Sequence, residues 1–175
     1  SDRVLKKMRR NITKAQTVEL IERFRKEVPG IHLRTTMMVG HPGETEEDFM
    51  ELLDFVKEMR FERLGAFPYS HEEDTYNDKH YTDDVPAAVK QERMQQLMDV
   101  QEGVALAINE EKIGKVLKVI IDREEPEYFV GRSEYDSPEV DGEVLIEKET
   151  HLEIGNFYNV QIQSALPFDL MGNVI

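Results

Sequence analysis

The feature that most constrains the fold of this chain is a short glycine-proline-glycine turn between an apolar run and an acid-rich segment. Residues 34–39 are apolar or β-branched with no regular polar alternation, which predicts a strand buried on both faces of a parallel sheet. The run 40–43 (Gly-His-Pro-Gly) ends this strand, and Thr45, with Asp48 three residues later, predicts the N-cap of a helix. Ligands of α/β folds collect at the carboxyl ends of parallel strands, so the turn is a candidate site, although an ordinary βα connection explains the same pattern.

The segments around the turn repeat one order of elements. Apolar positions at helical spacing predict a helix that follows a capping box at Thr13 and ends at Pro29-Gly30, and a second helix after the turn. A strand is predicted over 63–69, and a long helix after Pro86. Alternating helices and strands with short connections are typical of a parallel sheet with right-handed crossovers. The acidic segment 70–85 lacks periodicity and is predicted to be a surface loop.

After Lys115 the pattern changes to short β-prone runs separated by turn residues. These runs are 116–121, 128–130, 142–146 and 157–162, and a final short strand is expected around Leu170 to Gly172. Four or five short strands within about sixty residues predict a small antiparallel β-barrel. The predicted fold class is therefore α/β plus all-β, with domains at 1–110 and 111–175.

Composition limits the class of protein and of partner. Apolar residues make up 39% of the chain and charged residues 33%, with no membrane-length apolar run and no signal-peptide pattern, which predicts a cytoplasmic protein that contacts no membrane. The net charge of −14 is shared by both predicted domains, which disfavours nucleic acid and suits a basic protein partner. Because the chain has no cysteine, it contains no disulfide, no cysteine nucleophile and no ligand for an iron–sulfur cluster.

Other chemistry finds little support in the residues. The segment that contains His71 and His80 is rich in acids, but its spacing matches no metal motif, so we predict a solvated loop and no metal site. No nucleophile elbow or P-loop pattern is present, and we predict no catalytic side chain. The basic start, residues 1–11, is predicted to be helical with a solvated face. His41 is predicted to face solvent, with stacking on a neighbouring ring as the alternative.

Four segments resemble the carboxyl-terminal half of the radical S-adenosylmethionine (SAM) methylthiotransferases. They are VLKKMRR at 4–10, LRTTMMVGHPGETEEDF at 33–49, FERLGAFPYSHEEDT at 61–75 and GRSEYDSPEVDGEV at 131–144. The last motif resembles the RimO branch, which modifies an aspartate of a small-subunit ribosomal protein, rather than the MiaB branch, which modifies tRNA.

The resemblance implies a fold and an activity. Residues 1–110 would form the last βα units of a partial TIM-type barrel, and residues 111–175 a TRAM domain. The family attaches a methylthio group to an unactivated carbon with SAM and two 4Fe-4S clusters, of which one cleaves SAM to a 5′-deoxyadenosyl radical and the other handles sulfur. Both clusters need cysteines, so we expect this chain to be part of a longer enzyme, to bind none of these cofactors alone and to be inactive alone.

The resemblance also implies the residues that surround SAM. Arg10 would pair with the methionyl carboxylate, for which a guanidinium is well shaped, although a solvated arginine is the alternative. Thr36 stands where several relatives have an aspartate near the polar end of SAM. The other implied cofactor-binding residues would form the apolar and backbone wall around the adenine: Met38, Val39, Gly40, Gly65 and Phe67.

A set of acids is the hypothesised binding surface for the ribosomal protein: Glu72, Glu73, Asp74, Glu134, Asp136, Glu139 and Asp141. Two other functions stay open at this point. In a tRNA methylthiotransferase, the small barrel would contact RNA through Lys115, Lys118 and Arg132, although few bases among many acids make a poor phosphate track. A non-enzymatic ribosome-binding or RNA-binding module is the other alternative. Open sheet edges further predict that the isolated chain self-associates.

Overall fold

A computed structural model describes residues 1–148 and 151–175 of the chain. These residues form two compact units, 1–101 and 102–175.

The first unit is built from helices around a pair of parallel strands. Its elements are α1 (Asp2–Lys7), α2 (Lys14–Glu27), β1 (Arg34–Val39), α3 (Glu46–Met59), β2 (Arg63–Pro68), α4 (Tyr76–His80) and the first part of α5 (Ala87–Glu110). The order β1-α3-β2 is a βαβ unit, in which Arg34 pairs with Arg63 and Val39 with Pro68. The predicted α/β class of this part is confirmed, because the strands are parallel and joined by a helix.

Local capping fixes where α2 and α3 begin. Thr13 accepts a hydrogen bond from the Gln16 backbone N–H, and the Gln16 side chain accepts one from Thr13 in return. Thr45 and Asp48 form the same reciprocal pair at the start of α3. The capping box predicted at Thr13 and the N-cap predicted at Thr45 are confirmed, and each satisfies backbone donors that a helix start leaves free.

One face of the two strands is packed against helices. Side chains from α2, α3, α5, the strands and the connection between α3 and β2 form the core of the unit: Ile21, Val39, Phe49, Leu53, Phe55, Val56, Phe61 and Leu97. α5, the longest described helix, contributes Leu97 to this core.

None of the described helices, α5 included, is both long and apolar enough to cross a membrane.

Two sequence-based expectations for this unit were wrong. β1 is not buried on both faces: Thr36 is exposed, because β1 and β2 form a two-stranded sheet among the described residues and helices cover its other face. The segment 70–85 is not structureless, because it contains α4, which Thr75 caps by accepting a hydrogen bond from the Asp78 backbone.

The second unit is a closed five-stranded barrel. Its strands are β3 (Val116–Glu124), β4 (Tyr128–Ser133), β5 (Val144–Glu147), β6 (Phe157–Ala165) and β7 (Leu170–Val174), in the order β3-β4-β5-β7-β6, and β6 pairs with β3 to close it. The predicted small barrel is confirmed. One of its pairings, β5 with β7, is parallel, and the others are antiparallel. Alternate side chains fill the interior, including Val119, Ile121, Val160 and Ile162.

Candidate functional site

The turn after β1 has a backbone that suits glycine at two positions. Gly40 has φ +74° and Gly43 has φ +73°, in the left-handed region that side chains rarely adopt. A Cβ on Gly40 would overlap the Lys90 side chain, and one on Gly43 would overlap the Lys7 ammonium. The backbone N–H of Glu44 donates to the His41 carbonyl at 2.8 Å and closes the turn.

Both glycine N–H groups of this turn are already bound by carboxylates. The N–H of Gly40 donates to Glu44 at 2.9 Å, and the N–H of Gly43 donates to Asp84 at 2.6 Å. Because these donors are occupied, the turn is held as a rigid connection and does not present them to an anion.

A buried ion pair fixes the turn to α5. Arg93 donates to the Glu44 carboxylate at 2.8 Å and to Glu46 at 3.1 Å, and the side chains of Arg93 and Glu44 are 8% and 4% exposed. The Arg93 guanidinium also lies 5.3 Å from the centroid of the Phe49 ring. Glu44 therefore joins α5 to the Gly40 backbone through one carboxylate.

A second buried cation contacts the end of β2. The Lys90 ammonium donates to both carboxylate oxygens of Asp83, at 2.7 and 2.6 Å, and to the Tyr69 carbonyl at 3.3 Å. Sequence analysis missed Lys90 and Arg93. Their spacing is the signal that could have identified them. Lys90 and Arg93 lie at helical spacing before Leu97 and Gln101, so all four residues share the buried face of α5.

His41 is buried, so the prediction that it faces solvent was wrong. It is 1% exposed, and its ring meets those of Tyr69 and Tyr81 edge-on at 5.4 and 6.0 Å. Its Nδ1 donates to the Pro42 carbonyl at 3.1 Å, and its Nε2 accepts from the Asn77 amide at 3.0 Å, an arrangement that a neutral ring satisfies. Burial away from water lowers the pKa of His41 from its ordinary 6.5.

We expect this histidine to make the stability of the chain depend on pH. Because the folded-state pKa lies below 6.5, the unfolded chain takes up the proton first, and stability is full above pH 6.5 and falls as the pH drops toward the folded-state pKa. Each pKa unit of difference corresponds to about 1.4 kcal/mol. Urea unfolding between pH 8 and 5 should show a shallower pH dependence for His41→Gln than for the wild type. Equal slopes in His41→Gln and the wild type would contradict the assignment.

Basic side chains of α1 bind the outside of the turn. Arg3 donates to the Gly43 carbonyl at 2.8 Å and forms an ion pair with Asp48, and Lys7 donates to the Pro42 carbonyl at 3.3 Å. The basic start of the chain is therefore not simply a solvated face.

Four of the predicted cofactor-binding residues lie side by side on the sheet face opposite the core. Thr36 pairs with Gly65 and Met38 with Phe67, so these residues form two adjacent rows. A Cβ built on Gly65 meets nothing within 4 Å, and Phe67 is 44% exposed, so this face is open. Val39 differs, since its side chain lies in the core of the unit.

Arg10 lies beside this face. It lines a cavity of about 380 Å³ with Thr36, Met38 and apolar side chains of α1, including Leu5 and Met8. Among the described residues that line this cavity, Arg10 has the one basic side chain, and the acids Glu44 and Asp48 are paired with Arg93 and Arg3. The structure thus brings Arg10, Thr36 and Met38 together around one cavity.

The predicted substrate-binding acids of the first unit are exposed beside α4. Glu72, Glu73 and Asp74 are exposed, and the N–H of Asp74 donates to Asp78 at 3.1 Å. Lys79 forms an ion pair with Asp74. Within the part of the chain that the structure describes, no group of three or more His, Asp or Glu side chains is arranged to hold a metal ion.

The acids of the second unit lie between β4 and β5. Asp136 accepts a hydrogen bond from Ser133, Asp141 accepts one from the Ser137 backbone at 2.8 Å, and Glu139 has φ +63°. Glu134 is exposed. These local bonds give the acidic loop a defined conformation.

The three basic residues considered for RNA lie on or next to the barrel strands. Arg132 forms an ion pair with Asp122 at 3.3 Å, and the Lys118 ammonium lies 4.7 Å from the centroid of the Phe157 ring. Lys115 is exposed. An arginine that is paired with an acid is a weaker phosphate ligand, so Arg132 is a poorer candidate for an RNA contact than its position in the sequence suggested.

Comparison with known families matches both units of the chain. Residues 1–56 match the Radical SAM superfamily, and residues 113–175 match the TRAM domain.

The chain is also similar over its length to curated proteins named ribosomal protein uS12 methylthiotransferase RimO. It is 61% identical to the one from Parabacteroides distasonis over 175 residues, which are 100% of this chain and 40% of that protein. It is 61% identical to the one from Porphyromonas gingivalis over 177 residues, which cover 100% of this chain and 41% of that protein. It is 53% identical to the one from Christiangramia forsetii over 173 residues, which cover 98% of this chain and 38% of that protein. The chain therefore spans about two fifths of the length of these relatives.

Proposed function

We propose that this chain belongs to the RimO branch of the radical SAM methylthiotransferases, and that it is the carboxyl-terminal part of an enzyme that adds a methylthio group to an aspartate of ribosomal protein uS12. The observation that carries the proposal is the similarity to RimO proteins, which runs through both units of the chain. In this proposal residues 1–110 contribute to the radical SAM barrel, and residues 111–175 form the TRAM domain.

The open sheet face and its cavity suit SAM. A guanidinium at Arg10 matches a carboxylate, and the Thr36 hydroxyl can accept or donate a hydrogen bond at the polar end of the molecule. Met38, Gly65 and Phe67 offer an apolar, partly bare surface for an adenine ring. Bound SAM supplies the methyl group and the hydrogen-abstracting chemistry of the family, and these residues bind and orient it. Val39 and Gly40 would contribute backbone, since the Val39 side chain is in the core.

The iron–sulfur clusters do not fit the residues of this chain. Such clusters are held mainly by cysteine thiolates, and the chain has no cysteine. In our proposal other residues of the complete enzyme hold both clusters, and this chain alone is inactive.

The test of the proposed function uses the complete enzyme, with its clusters reconstituted. The enzyme is incubated with SAM, a reductant and a sulfur source, together with either uS12 or tRNA, and each product is analysed by mass spectrometry. We expect a methylthio group on an aspartate of uS12 and none on tRNA. Modification of tRNA alone would support the alternative branch, and modification of neither would contradict the proposal.

The acidic side chains next to α4 are proposed to attract the basic substrate protein. Replacing Glu72, Glu73 and Asp74 together by Gln, Gln and Asn in the complete enzyme should weaken uS12 binding several-fold at low salt, because exposed opposite charges attract most strongly there. Binding is measured by calorimetry at two salt concentrations.

The matched control for this experiment removes three exposed acids on α2 and α3, namely Glu19, Glu22 and Glu58, by the same kind of substitution. It changes the net charge equally and should have a much smaller effect. Equal affinities of the two variants would show that only total charge matters, and would contradict a local binding surface.

Self-association of the isolated chain stays a prediction. Among the described residues β1 and β2 pair with each other and with no further strand, so each has an outer edge to which a strand of a second copy can add. Light scattering of the isolated chain should give a mass above that of one copy, and a monomer over a range of concentrations would contradict the prediction. A cytoplasmic location is likewise part of the proposal.

A further inference from the structure

A stack of three side chains joins the end of α1 to α4. The guanidinium carbon of Arg9 lies 4.5 Å from the centroid of the Tyr76 ring, within the range of a cation–π interaction. The Tyr76 and His80 rings are stacked with centroids 3.9 Å apart and planes 14° from parallel. We call Arg9, Tyr76 and His80 the Arg9 clasp.

The clasp holds a backbone conformation that is unfavourable by itself. Arg9 has φ +57°, in the left-handed region that residues with a side chain rarely adopt. Its N–H donates to the Lys6 carbonyl, and the N–H of Arg10 donates back to the Leu5 carbonyl at 2.9 Å. This reversal ends α1 and directs the chain so that Arg10 lines the cavity with Thr36 and Met38.

Tyr76 and His80 of the clasp belong to α4, and hydrogen bonds hold α4 and the residues before it in place. Thr75 caps α4, and the Asp78 carboxylate accepts from the Asp74 backbone at 3.1 Å and contacts His71 at 3.0 Å. Lys7 lies 5.6 Å from the centroid of the Tyr81 ring, which gives α1 a second aromatic contact with the same segment. α4 can therefore act as a fixed support for the residues that follow α1.

We propose that Tyr76 is a positioning residue that, through Arg9, holds the Arg10 guanidinium where it meets the carboxylate end of SAM. Tyr76 itself does not line the cavity that Arg10 lines. The inference rests on the proposed function, since it takes SAM as the ligand. It adds a residue from the acidic segment 70–85 to the determinants of SAM binding.

The first test compares two ligands that differ in the carboxylate. In the complete enzyme, Tyr76→Ala should weaken equilibrium binding of SAM roughly fivefold, the scale of one lost cation–π contact, and leave binding of 5′-methylthioadenosine, which lacks the methionyl carboxylate, unchanged. Tyr76→Phe keeps the ring and should restore SAM binding. In an Arg10→Met background, Tyr76→Ala should have no further effect, because both changes remove the same interaction.

The matched control is Phe157→Ala, which removes the aromatic partner of Lys118 on the barrel and should leave the affinity for both ligands unchanged. Equal weakening of both ligands by Tyr76→Ala would mean that the whole site is disturbed, and would overturn the positioning role. So would additive losses from Arg10→Met and Tyr76→Ala.

A second measurement does not depend on SAM. Trypsin cuts after arginine, and release of the clasp should make cleavage after Arg9 and Arg10 several-fold faster in Tyr76→Ala than in Tyr76→Phe or the wild type. An unchanged cleavage rate would overturn the clasp. If the wild-type enzyme bound neither ligand, the proposed function would fail, and the proteolysis result would still decide whether Tyr76 holds this segment.

Discussion

Replacing Arg93 by methionine is expected to lower the free energy of unfolding of this chain by about 3–5 kcal/mol. The substitution leaves the Glu44 carboxylate, whose side chain is 4% exposed, without its cationic partner, and an unpaired buried charge is among the most costly defects in a folded protein. The loss includes the link between α5 and the turn, since Glu44 also binds the Gly40 N–H. Urea unfolding followed by circular dichroism measures the effect.

The control for this prediction is the same substitution in an exposed pair. Arg23 and Glu27 face each other one turn apart on α2, with side chains 68% and 60% exposed, so Arg23→Met should cost about 0.5 kcal/mol or less. A double substitution, Arg93→Met with Glu44→Gln, should recover much of the lost stability, because it removes both buried charges and keeps an amide oxygen that accepts from the Gly40 N–H. A loss for Arg93→Met no larger than that for Arg23→Met would contradict the role of the buried pair.

Replacing Gly65 by valine in the complete enzyme is expected to weaken SAM binding roughly tenfold to a hundredfold, the range that corresponds to overpacking by about 1–3 kcal/mol. The valine side chain would project from the open sheet face beside Thr36, in the row next to Met38 and Phe67, where the adenine is proposed to lie. The fold should persist, because a Cβ at this position meets no atom within 4 Å and valine favours strands. Equilibrium binding of SAM and thermal unfolding measure the two effects.

Gly103→Val serves as the matched control, since a Cβ on Gly103 in α5 also meets nothing within 4 Å. It should leave SAM binding unchanged. Gly65→Ala should give an intermediate effect, because the loss depends on the volume added. Wild-type affinity in Gly65→Val would show that the ligand does not lie over this part of β2, and would redirect the site to other residues.

Elements whose signals are local were predicted well from the sequence. The reciprocal caps at Thr13 and Thr45 involve partners three residues away, so their residue types alone indicate where α2 and α3 begin. The strand β1 and the turn at Gly40 are likewise marked by short runs of residues with strong backbone preferences. The five barrel strands were found for the same reason, as short β-prone runs between turn residues.

The site was predicted less completely, because its determinants come from distant parts of the chain. Arg93 contacts a carboxylate 49 positions earlier, and Asn77 contacts His41 across 36 positions. No local pattern reports such pairs, so sequence analysis missed Arg93 and predicted that His41 faces solvent.

By itself the sequence determined the order of the longer helices and strands, the two fold types and the similarity to known families, because each follows from local preferences or from motifs of adjacent residues. Only the tertiary structure decided which polar side chains are buried and which face of β1 and β2 is open. Burial depends on what packs against a residue from elsewhere in the chain, and the cost of burying Glu44, Arg93 or Lys90 is offset only by the partner that the fold brings to it.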